Sequence, residues 1–577
     1  MPTQLSQKRH SLAHIMAHAI QEIYPKAQFA IGPDIDNGWY YDIDFNDQKI
    51  SEEDFTKLEK RMKELVKANM SFSREEVSIE EALAWAKESN QPYKIELVEG
   101  LAEQGEKTVT FYTIGKFKDL CRGGHVESTK DIDSQSFKLY KLAGAYWRGD
   151  EKNKMLTRIY GLAFDTKQEL EGYLTMLEEA EKRDHRKLGA QLELFMFHET
   201  APGMPYWLPK GLILYNALVD YWRSEHTKLG YQEIASPLVN KAELWKISGH
   251  WDHYKEDMFI ADMGENEVYG IKPMNCPNAM LVFKSKLRSY RDLPLRLSDT
   301  DRLHRYERSG TLNGLLRVRS FQQDDSHNFI SEDMIASEYA HIFEVCKQFY
   351  SLFNLEYSFR LGTRPEKFLG EQSVWDKAEA SLKQILEESG RGYVVAEGDG
   401  AFYGPKIDIL MKDSLGRDWQ MGTIQLDFQL PQRFNLEYTS NDGSKKTPVV
   451  VHRVIYGSLE RFIGVLIEHL AGEFPVWLSP VQIKLLSVAE THADYCLKLK
   501  EELAAEGLRV ELDISNETVG KKIREASGEK VPYLLVIGDK EMSSDKLFVR
   551  ERGEREAKEW DKAEFIEMVK QKNKTRT

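Results

Sequence analysis

The segment from Arg302 to Phe329, RLHRYERSGTLNGLLRVRSFQQDDSHNF, places charged and polar residues at alternate positions on both sides of a run of turn-forming residues. Arg305 and Glu307 are two residues apart, and SGTLNG separates them from a second alternating stretch. Because alternate residues of a β-strand project from the same face, this pattern predicts a two-stranded hairpin. One face of the return strand would carry Arg317, Arg319, Phe321, Gln323 and Asp325.

The predicted hairpin carries side chains that suit a polyphosphate and a purine. Arginine forks match phosphate oxygens, the carboxylate of Glu307 can accept a hydrogen bond from an exocyclic amine, and Phe321 offers a flat apolar surface. The structural alternative is an exposed hairpin with surface salt bridges. The regular spacing favours a binding role over that alternative.

Composition limits the class of protein. A chain of 577 residues exceeds what one hydrophobic core usually organises, so we expect roughly three or four domains. A net charge of -14 excludes an indiscriminately basic nucleic-acid binder but not an enzyme with local basic patches. Four widely separated cysteines are typical of a reducing compartment. With no signal peptide and no run of about 20 apolar residues, the sequence predicts a soluble cytoplasmic protein that does not bind membranes.

The hydrophobic patterns divide the chain into four segments. Residues 1–164 mix an opening helix with strand-like runs, and residues 165–187 have the apolar spacing of a connecting helix capped by Asp165 or Thr166. Residues 188–479 form the largest segment, which ends at the proline-containing PVWLSPVQ. Residues 480–577 alternate strands with helices, which indicates a small α/β sheet. The predicted fold class is α+β and multidomain.

A second arginine lies in an unusual place. No G-x-x-x-x-G-K-[ST] phosphate loop is present, so side chains would have to hold any nucleotide. In HRVIYGSLERFIGVLIEHL, Gly457 permits close backbone approach and Arg461 falls in the first turns of an apolar helix. An unpaired guanidinium is costly there. Either an anionic ligand or an internal carboxylate would satisfy it.

Together these segments resemble the class II aminoacyl-tRNA synthetases, and most closely the threonyl-tRNA synthetase family. Pro237 in GYQEIASPLV is similar to the first class motif, the hairpin to the second, and Gly457 with Arg461 to the third. The resemblance covers essentially the whole chain. It implies an antiparallel-sheet catalytic core, activation of L-threonine by ATP, transfer to tRNA(Thr), and a homodimer formed through the Pro237 motif.

The resemblance also assigns nucleotide contacts. It implies that Arg305 and Arg317 bind the ATP phosphates, that Arg461 reaches the γ-phosphate, and that Mg²⁺ accompanies the nucleotide. Arg305 and Arg461 would thereby act in catalysis, together with His250 and Lys406, which match family positions near the reacting groups; His250 would aid transfer to the terminal ribose. The remaining nucleotide contacts would come from Glu307, Phe321 and Gln420.

A metal site follows only from the resemblance. The separations of Cys276, His327 and His452 fit no compact zinc-finger signature, yet all three match the zinc ligands of the family, which implies one Zn²⁺ per subunit. Three protein ligands leave an open coordination position. A site that requires the substrate hydroxyl would reject valine but not serine. Family residues of the amino-acid pocket match Gln322, Asp325, Tyr403, Thr423 and Gln425.

The first segment contains two paired spacings. His14 and His18 form H-x-x-x-H, and Cys121 and His125 form C-x-x-x-H, which by spacing alone could be a four-ligand zinc site or residues packed on a helix and a turn. The segment resembles the editing domain of the family. That resemblance implies metal-free hydrolysis of seryl-tRNA(Thr), a second sieve for the serine error. Its pocket positions also match Lys94 and Asp119.

The last segment resembles the anticodon-binding domain shared by several class II enzymes. Asn516, Glu541 and Arg550 match family positions that contact anticodon bases. Many members of the family carry a ubiquitin-like domain before the editing domain, whereas here the histidine-containing helix begins almost at Met1. The resemblance is therefore to a form without that domain, either naturally or because the sequence is trimmed.

Two other functions fit parts of the sequence. One is a related synthetase that charges proline or serine, against which the Cys276, His327 and His452 set argues. The other is a non-catalytic regulatory or RNA-binding protein on a synthetase scaffold. A binding protein would not need the complete set of nucleotide-contacting arginines, which favours the enzyme.

Overall fold

The computed structural model describes residues 3–46, 48–265 and 267–577, which form two compact units, Met1–Glu178 and Glu179–Thr577. The division falls inside the helix Lys167–Lys182, whose start is capped by Thr166 as predicted. The predicted connecting helix over 165–187 is too long, because the helix ends at Lys182 and a separate helix, His185–Gln191, follows. Asp184 starts this second helix by accepting from the Arg186 backbone nitrogen, which is a strong N-cap interaction.

The first unit is an α+β structure. Its opening helix, Gln4–Ile23, packs against a five-stranded sheet through residues such as Leu12 and Met16. The sheet buries Trp39 and Tyr41 on the face toward this helix. Its strands are Gln28–Phe29, Asp34–Ile35, Gly38–Asp44, Met155–Ala163 and Phe137–Tyr146.

A smaller layer completes the first unit. A three-stranded antiparallel sheet packs with helices through Ala82, Val98 and Phe111. Its strands are Ser73–Ser78, Thr108–Ile114 and Phe117–Leu120, and the remaining helices of the unit are Phe55–Lys67, Ile79–Glu88 and Pro92–Glu103.

An eight-stranded sheet forms the centre of the second unit. Its inner strands are antiparallel, and only the outermost strand at each edge pairs in parallel. The central strand Asp325–Ile330 is buried along its whole length, although its first four residues are polar. In order across the sheet the strands are Gln232–Ile234, Leu295–Asp299, Asp325–Ile330, Val449–Val454, Asp418–Asp427, Lys406–Lys412, Glu356–Gly362 and Tyr393–Ala396.

Helices pack against this sheet and form its main core. Tyr339, Phe349 and Ile463 are fully buried in that core. The helices between residues 205 and 470 are Pro209–Lys228, Ala242–Ser248, His250–Tyr254, Cys276–Lys284, Ile335–Ser351, Gln372–Glu388, Leu430–Arg433 and Leu459–His469. Small accessory sheets contain Phe195–Met196, Tyr206–Trp207, Val239–Lys241, Val268–Ile271, Ile260–Asp262, Arg288–Ser289, Tyr438–Thr439 and Lys445–Lys446.

The predicted hairpin is only partly regular. Strand Arg302–His304 pairs with Ser320–Gln322, but residues 305–319 between them form a loop rather than extended strands. The predicted continuous return strand is wrong at its far end, since Asp325 starts a strand of the large sheet instead. Between strands Ser320–Gln322 and Asp325–Ile330, Gln323 forms an isolated antiparallel bridge with Ser458. The alternating residues therefore come from three local structures.

The last part of the chain forms a separate five-stranded sheet. Three parallel strands, Val510–Asp513, Ile483–Ser487 and Tyr533–Ile537, alternate with helices as predicted. Two antiparallel strands, Lys546–Glu551 and Lys558–Asp561, extend the sheet beyond the predicted pattern. The associated helices are Ala493–Ala505, Val519–Gly528, Asp539–Met542 and Lys562–Thr575. The α+β multidomain class is thereby confirmed.

Within the described ranges, no helix combines the length and the apolar character that crossing a bilayer requires.

Candidate functional site

The six side chains predicted to contact a nucleotide line one cavity of the second unit. They come from the loop after strand Arg302–His304 and from three regular elements: the strand Ser320–Gln322, the strand Asp418–Asp427 and the helix Leu459–His469. Gly457 lies at the same cavity with φ +75°, where an added Cβ would meet the Met421 carbonyl oxygen at 2.2 Å. Only glycine is compatible with that approach. The six residues are Arg305, Glu307, Arg317, Phe321, Gln420 and Arg461.

Arg461 has no carboxylate partner among the described residues. Its Nε donates to the Leu316 carbonyl at 3.0 Å and its Nη1 donates to the Gln420 carbonyl at 3.1 Å. Burial and the nearby Arg317 and Arg305 lower the pKa of Arg461. The internal ion pair considered from the sequence is therefore not formed, and the clustered cations make this cavity suited to an anion.

The other polar groups of the loop pair with each other. Arg317 Nη2 lies 2.8 Å from Glu307 Oε2, and its Nε donates to the same oxygen at 2.9 Å. The Arg305 guanidinium lies 5.0 Å from the centre of the Phe321 ring. A phosphate that enters the cavity would compete with Glu307 for Arg317, because both are oxygen anions.

Most of the predicted amino-acid pocket residues lie on or next to strands that border this cavity. Tyr403 donates to Gln425 Oε1 at 2.6 Å, and its ring centre lies 5.2 Å from that of His452. Asp325 is buried and accepts from Asn275 Nδ2 at 3.2 Å. Burial raises the pKa of Asp325 to about 7. A cationic substrate amine would favour its charged form.

Gln322 does not belong to this set. Its Nε2 donates to the Thr300 carbonyl at 2.6 Å and its Oε1 accepts from the Tyr215 hydroxyl. Gln323 lines the cavity instead. The two-residue alternation had predicted Gln323 on the binding face, but it had also predicted Arg319 there, which does not line the cavity.

Asp408 is a functional candidate that the sequence reasoning missed. This fully buried carboxylate accepts from Thr423 Oγ1 and Gln420 Nε2, both at 2.9 Å. It also lies 3.1 Å from Lys406 Nζ and 2.8 Å from Arg360 Nη2. Three of the residues around it were predicted site residues, so Asp408 orients the wall of the pocket. Its position two residues after Lys406 in a predicted strand was the available signal.

Cys276, His327 and His452 converge at the inner end of the pocket. One ligand atom from each lies within 4.8 Å of the others, and all three side chains are buried. His327 and His452 face each other across neighbouring antiparallel strands, whereas Cys276 begins the helix Cys276–Lys284. This arrangement fits a metal ion held by one thiolate and two imidazoles.

The hydrogen bonds of the cluster agree with that fit. His327 Nδ1 is buried and has no hydrogen-bond partner in the described part of the chain, which leaves it available as a ligand. His452 Nε2 lies 2.8 Å from Asp427 Oδ2, so that carboxylate orients the ring and leaves Nδ1 for a metal. Burial raises the pKa of the Cys276 thiol well above its usual value, and a bound cation would stabilise the thiolate.

His250 lies against this cluster. Its Nε2 is 3.8 Å from Cys276 Sγ and its Nδ1 is 2.8 Å from Ser248 Oγ. Burial, followed by the nearby His452 and Arg305, lowers the pKa of His250 to about 3. The imidazole is therefore neutral at pH 7.

The first unit contains a second cluster, with one member different from the prediction. Its members are His10, His14, Cys121 and His125, whose ligand atoms lie within 4.8 Å of one another. Cys121 Sγ is 3.4 Å from His10 Nε2 and 3.3 Å from His125 Nε2. His18 lies outside it, with Nε2 3.5 Å from Glu22 Oε1. Histidines at 10, 14 and 18 are equally spaced on one helical face, so spacing alone could not choose between the end positions.

Lys94 and Asp119 form a buried ion pair beside this cluster. Asp119 also accepts from the Tyr41 hydroxyl, and its Oδ2 lies 3.8 Å from His14 Nε2. Lys94 Nζ donates to the Tyr41 hydroxyl at 3.3 Å. Both ionic groups line a cavity. Because they are buried, their charges produce a strong local electric field there. Tyr41 was missed because its strand position reads as core.

The three predicted anticodon residues belong to different parts of the last sheet. Asn516 follows the strand Val510–Asp513 and Glu541 follows Tyr533–Ile537, both at the carboxyl end of parallel strands. Glu541 Oε2 accepts from the Gly538 nitrogen at 3.0 Å and so caps its own helix. Arg550 pairs with Leu534, which lies near the amino end of the strand Tyr533–Ile537.

Three family descriptions match the chain. Residues 258–470 match "tRNA synthetase class II core domain (G, H, P, S and T)". Residues 476–572 match "Anticodon binding domain", and residues 109–160 match "Threonyl and Alanyl tRNA synthetase second additional domain". The nucleotide cavity and the Cys276 cluster lie within the first match, whereas Asp119, Cys121 and His125 lie within the third.

Named proteins match over nearly the whole sequence. The threonine–tRNA ligase of Acetivibrio thermocellus is 53% identical over 544 residues, which are 94% of this chain and 85% of the relative. That of Clostridium botulinum is 52% identical over 569 residues, which are 99% of this chain and 89% of the relative. The solved RNA-binding domain of threonyl-tRNA synthetase from Cryptosporidium parvum has a TM-score of 0.65 at 43% identity, covering 67% of this chain and 98% of that one. Identity at this level over this length shows that the chain belongs to the threonine–tRNA ligase family.

Proposed function

We propose that this chain activates L-threonine with ATP, releasing diphosphate, and transfers the threonyl group to the 3′ end of tRNA(Thr). The observation that carries the proposal is that one strand serves both candidate sites. Val449–Val454 contributes Val454 to the arginine-lined cavity and His452 to the metal-ligating cluster. A nucleotide and an amino acid bound there would lie side by side, as formation of an aminoacyl-adenylate requires.

The chain's own side chains supply alignment and charge neutralisation. Attack of the threonine carboxylate on the α-phosphate brings two anions together. Arg305, Arg317 and Arg461 would offset that repulsion without exchanging protons, with Mg²⁺ bound to the nucleotide. Asp408 would hold Gln420 and Thr423 in place along the cavity wall.

Cys276, His327 and His452 would hold Zn²⁺ through Sγ and ring nitrogens. When bound, Zn²⁺ would offer its open positions to the amine and hydroxyl of the substrate. Tyr403 and Gln425, which are hydrogen-bonded to each other beside His452, would enclose the same substrate groups. Because valine is nearly isosteric with threonine, a pocket shaped only by packing separates them by about 1 to 3 kcal/mol. A requirement for the hydroxyl would reject valine far more strongly.

The proposed activity is tested by amino-acid-dependent pyrophosphate exchange. We expect a strong signal with threonine, a weak signal with serine and a negligible signal with valine, because serine alone of the two competitors carries both an amine and a hydroxyl. Saturating amino acid and constant ATP keep the three measurements comparable. Exchange that is equally fast with valine would contradict a hydroxyl-requiring site, and no exchange with threonine would contradict the activity itself.

We propose that the first unit hydrolyses seryl-tRNA(Thr) at the cluster of His14, Cys121 and His125. Supporting this, Lys94 and Asp119 place buried charges on a cavity wall, with Asp119 3.8 Å from His14. These groups could bind the ester and orient water. Burial raises the pKa of Cys121 to about 12, so the thiol is protonated at neutral pH and is not itself a poised nucleophile.

His14→Ala and His18→Ala should have different effects on editing. We expect His14→Ala to slow hydrolysis of seryl-tRNA(Thr) by roughly a hundredfold, because His14 contacts the proposed site. His18→Ala should stay within about threefold of the unmodified protein, because His18 lies outside the cluster and faces Glu22 instead. Deacylation of preformed seryl-tRNA(Thr) measures both, with threonylation as the control. Equal losses in the two variants would contradict the assignment of His14.

Two further interactions are part of the proposal. The homodimer would form through the segment around Pro237, where Leu238 and Val239 are 41% and 51% exposed. The last sheet would contact the anticodon through Asn516, Glu541 and Arg550. For Glu541 this requires release of the Gly538 nitrogen or use of its second carboxylate oxygen.

A further inference from the structure

His185 is a buried histidine that none of the sites above uses. It begins the helix His185–Gln191 and is 1% exposed. Its Nδ1 lies 2.7 Å from Glu468 Oε1, and its Nε2 lies 3.0 Å from the backbone nitrogen of Leu315. Because the Leu315 nitrogen can only donate, Nε2 is the acceptor and the ring proton is on Nδ1. One neutral tautomer therefore satisfies both contacts.

The first partner, Glu468, belongs to the helix that carries Arg461. That helix is Leu459–His469, so Glu468 is near its end and Arg461 is in its first turn. Burial by itself raises the pKa of Glu468, but hydrogen bonds from His185 and Arg417 lower it more strongly. The carboxylate thus stays charged and keeps accepting from His185, which anchors this helix from its far end.

The second partner, Leu315, belongs to the turn that presents Arg317. The turn is closed by hydrogen bonds between Asn313 and Arg317, from nitrogen to oxygen in both directions at 3.2 and 3.3 Å. Its Leu316 carbonyl accepts from Arg461 Nε at 3.0 Å. Leu315, whose backbone nitrogen bonds His185, therefore lies between Asn313, which closes the turn with Arg317, and Leu316, which accepts from Arg461.

Two glycines pack closely against the imidazole. Gly314 has φ +49°, and a Cβ added there would lie 2.1 Å from His185 Nε2. A Cβ added at Gly464 would lie 3.2 Å from Leu315 Cβ and 3.6 Å from His185 Cδ2. Both glycines let the turn and the helix approach the ring closely.

We propose that His185 is a positioning residue for the nucleotide site: by bonding Leu315 and Glu468 together, it fixes Arg317 relative to Arg461. The inference rests on the proposed function, because it takes the arginine-lined cavity to be the ATP triphosphate site. His185 touches neither the cavity nor the Cys276 cluster. Its effect on the reaction is therefore indirect and specific for ATP.

Two replacements separate the two hydrogen bonds. His185→Gln places an amide oxygen near the position of Nε2 and keeps an acceptor for Leu315. His185→Asn places its amide near Nδ1, keeps the donor to Glu468 and leaves the buried Leu315 nitrogen unpaired. We expect His185→Asn to raise the KM for ATP by about tenfold, which is the effect of one unpaired buried donor. His185→Gln should stay within about threefold.

The measurement is pyrophosphate exchange with threonine, in which the KM for ATP and the KM for threonine are determined separately. A rise confined to ATP supports positioning, and hydrolysis of seryl-tRNA(Thr) should remain unchanged in both variants. An unchanged KM for ATP in His185→Asn, or equal rises for both substrates, overturns the inference.

The outcomes remain decisive if His185→Asn does not fold. Gly314→Ala then replaces it, because its methyl group would displace the imidazole from Leu315; an ATP-specific rise in KM supports the inference and an unchanged value overturns it. Failure of the proposed function looks different. In that case the unmodified protein itself shows no threonine-dependent exchange, and the basis for assigning His185 is lost with it.

Discussion

Arg305→Ala is expected to slow amino-acid-dependent pyrophosphate exchange by roughly a hundredfold to a thousandfold, the usual effect of removing one preorganised charge from a transition state. Arg305 lines the cavity and lies over the Phe321 ring, so its loss removes positive charge without opening the fold. The loss should be the same with threonine and with serine, because Arg305 acts on the nucleotide. The kcat and the KM for ATP with each amino acid measure this.

Arg308→Ala is the matched control. Arg308 lies in the same loop, is exposed and does not line the cavity. Its replacement should leave exchange within about twofold of the unmodified protein, as surface substitutions usually do. If Arg305→Ala and Arg308→Ala behave alike, Arg305 has no special role at the phosphates and the nucleotide assignment fails.

His327→Ala is expected to reduce both bound zinc and the choice between amino acids. Elemental analysis should find about one zinc per chain in the unmodified protein and little in the variant, because two ligands hold zinc far less tightly than three. Threonine-dependent exchange should fall, and the preference for threonine over valine should shrink toward the roughly tenfold to two-hundredfold that packing alone supplies.

His253→Ala is the control that shows whether removing a nearby histidine that is not a proposed metal ligand has the same effect. His253 is exposed on the helix His250–Tyr254 and is not one of the three clustered residues. It should retain zinc and amino-acid preference. A metal-free protein with full exchange activity and undiminished rejection of valine would contradict the proposed role of Cys276, His327 and His452.

The two-residue spacing of the predicted hairpin identified several residues that line the candidate nucleotide cavity, although the hairpin is only partly regular. Arg317 lies in a loop, yet Arg317, Phe321 and Gln323 still face one cavity. Arg319, which the same two-residue period placed on that face, does not line the cavity and donates to the Glu307 carbonyl instead, because the loop interrupts the strand alternation. Gln322, a predicted pocket residue, bonds Thr300 and does not line the cavity that Phe321 and Gln323 line, because neighbouring residues of a strand project from opposite faces.

The buried polar groups were much less predictable. Asp408, Tyr41 and His185 lie in strands or helix starts that read as ordinary structure, and their roles come from partners distant in sequence. Similarly, His10, His14 and His18 are equally spaced along one helix, so the sequence cannot show whether His10 or His18 faces Cys121. Only the packing of the helix against the strand Phe117–Leu120 and the turn after it selects His10.

The sequence by itself determined which chemical groups are available and in what order: the arginines of the loop, Gly457 before its helix, and paired histidines one turn apart. Periodicity and turn residues act over a few positions, so they are legible in the chain alone. The tertiary structure alone decided the convergence of Cys276, His327 and His452, because strand register and helix packing join segments far apart in sequence. Among the described residues, the same long-range packing gives Arg461 two backbone carbonyls and no carboxylate as partners, which leaves a costly buried charge suited to an anion.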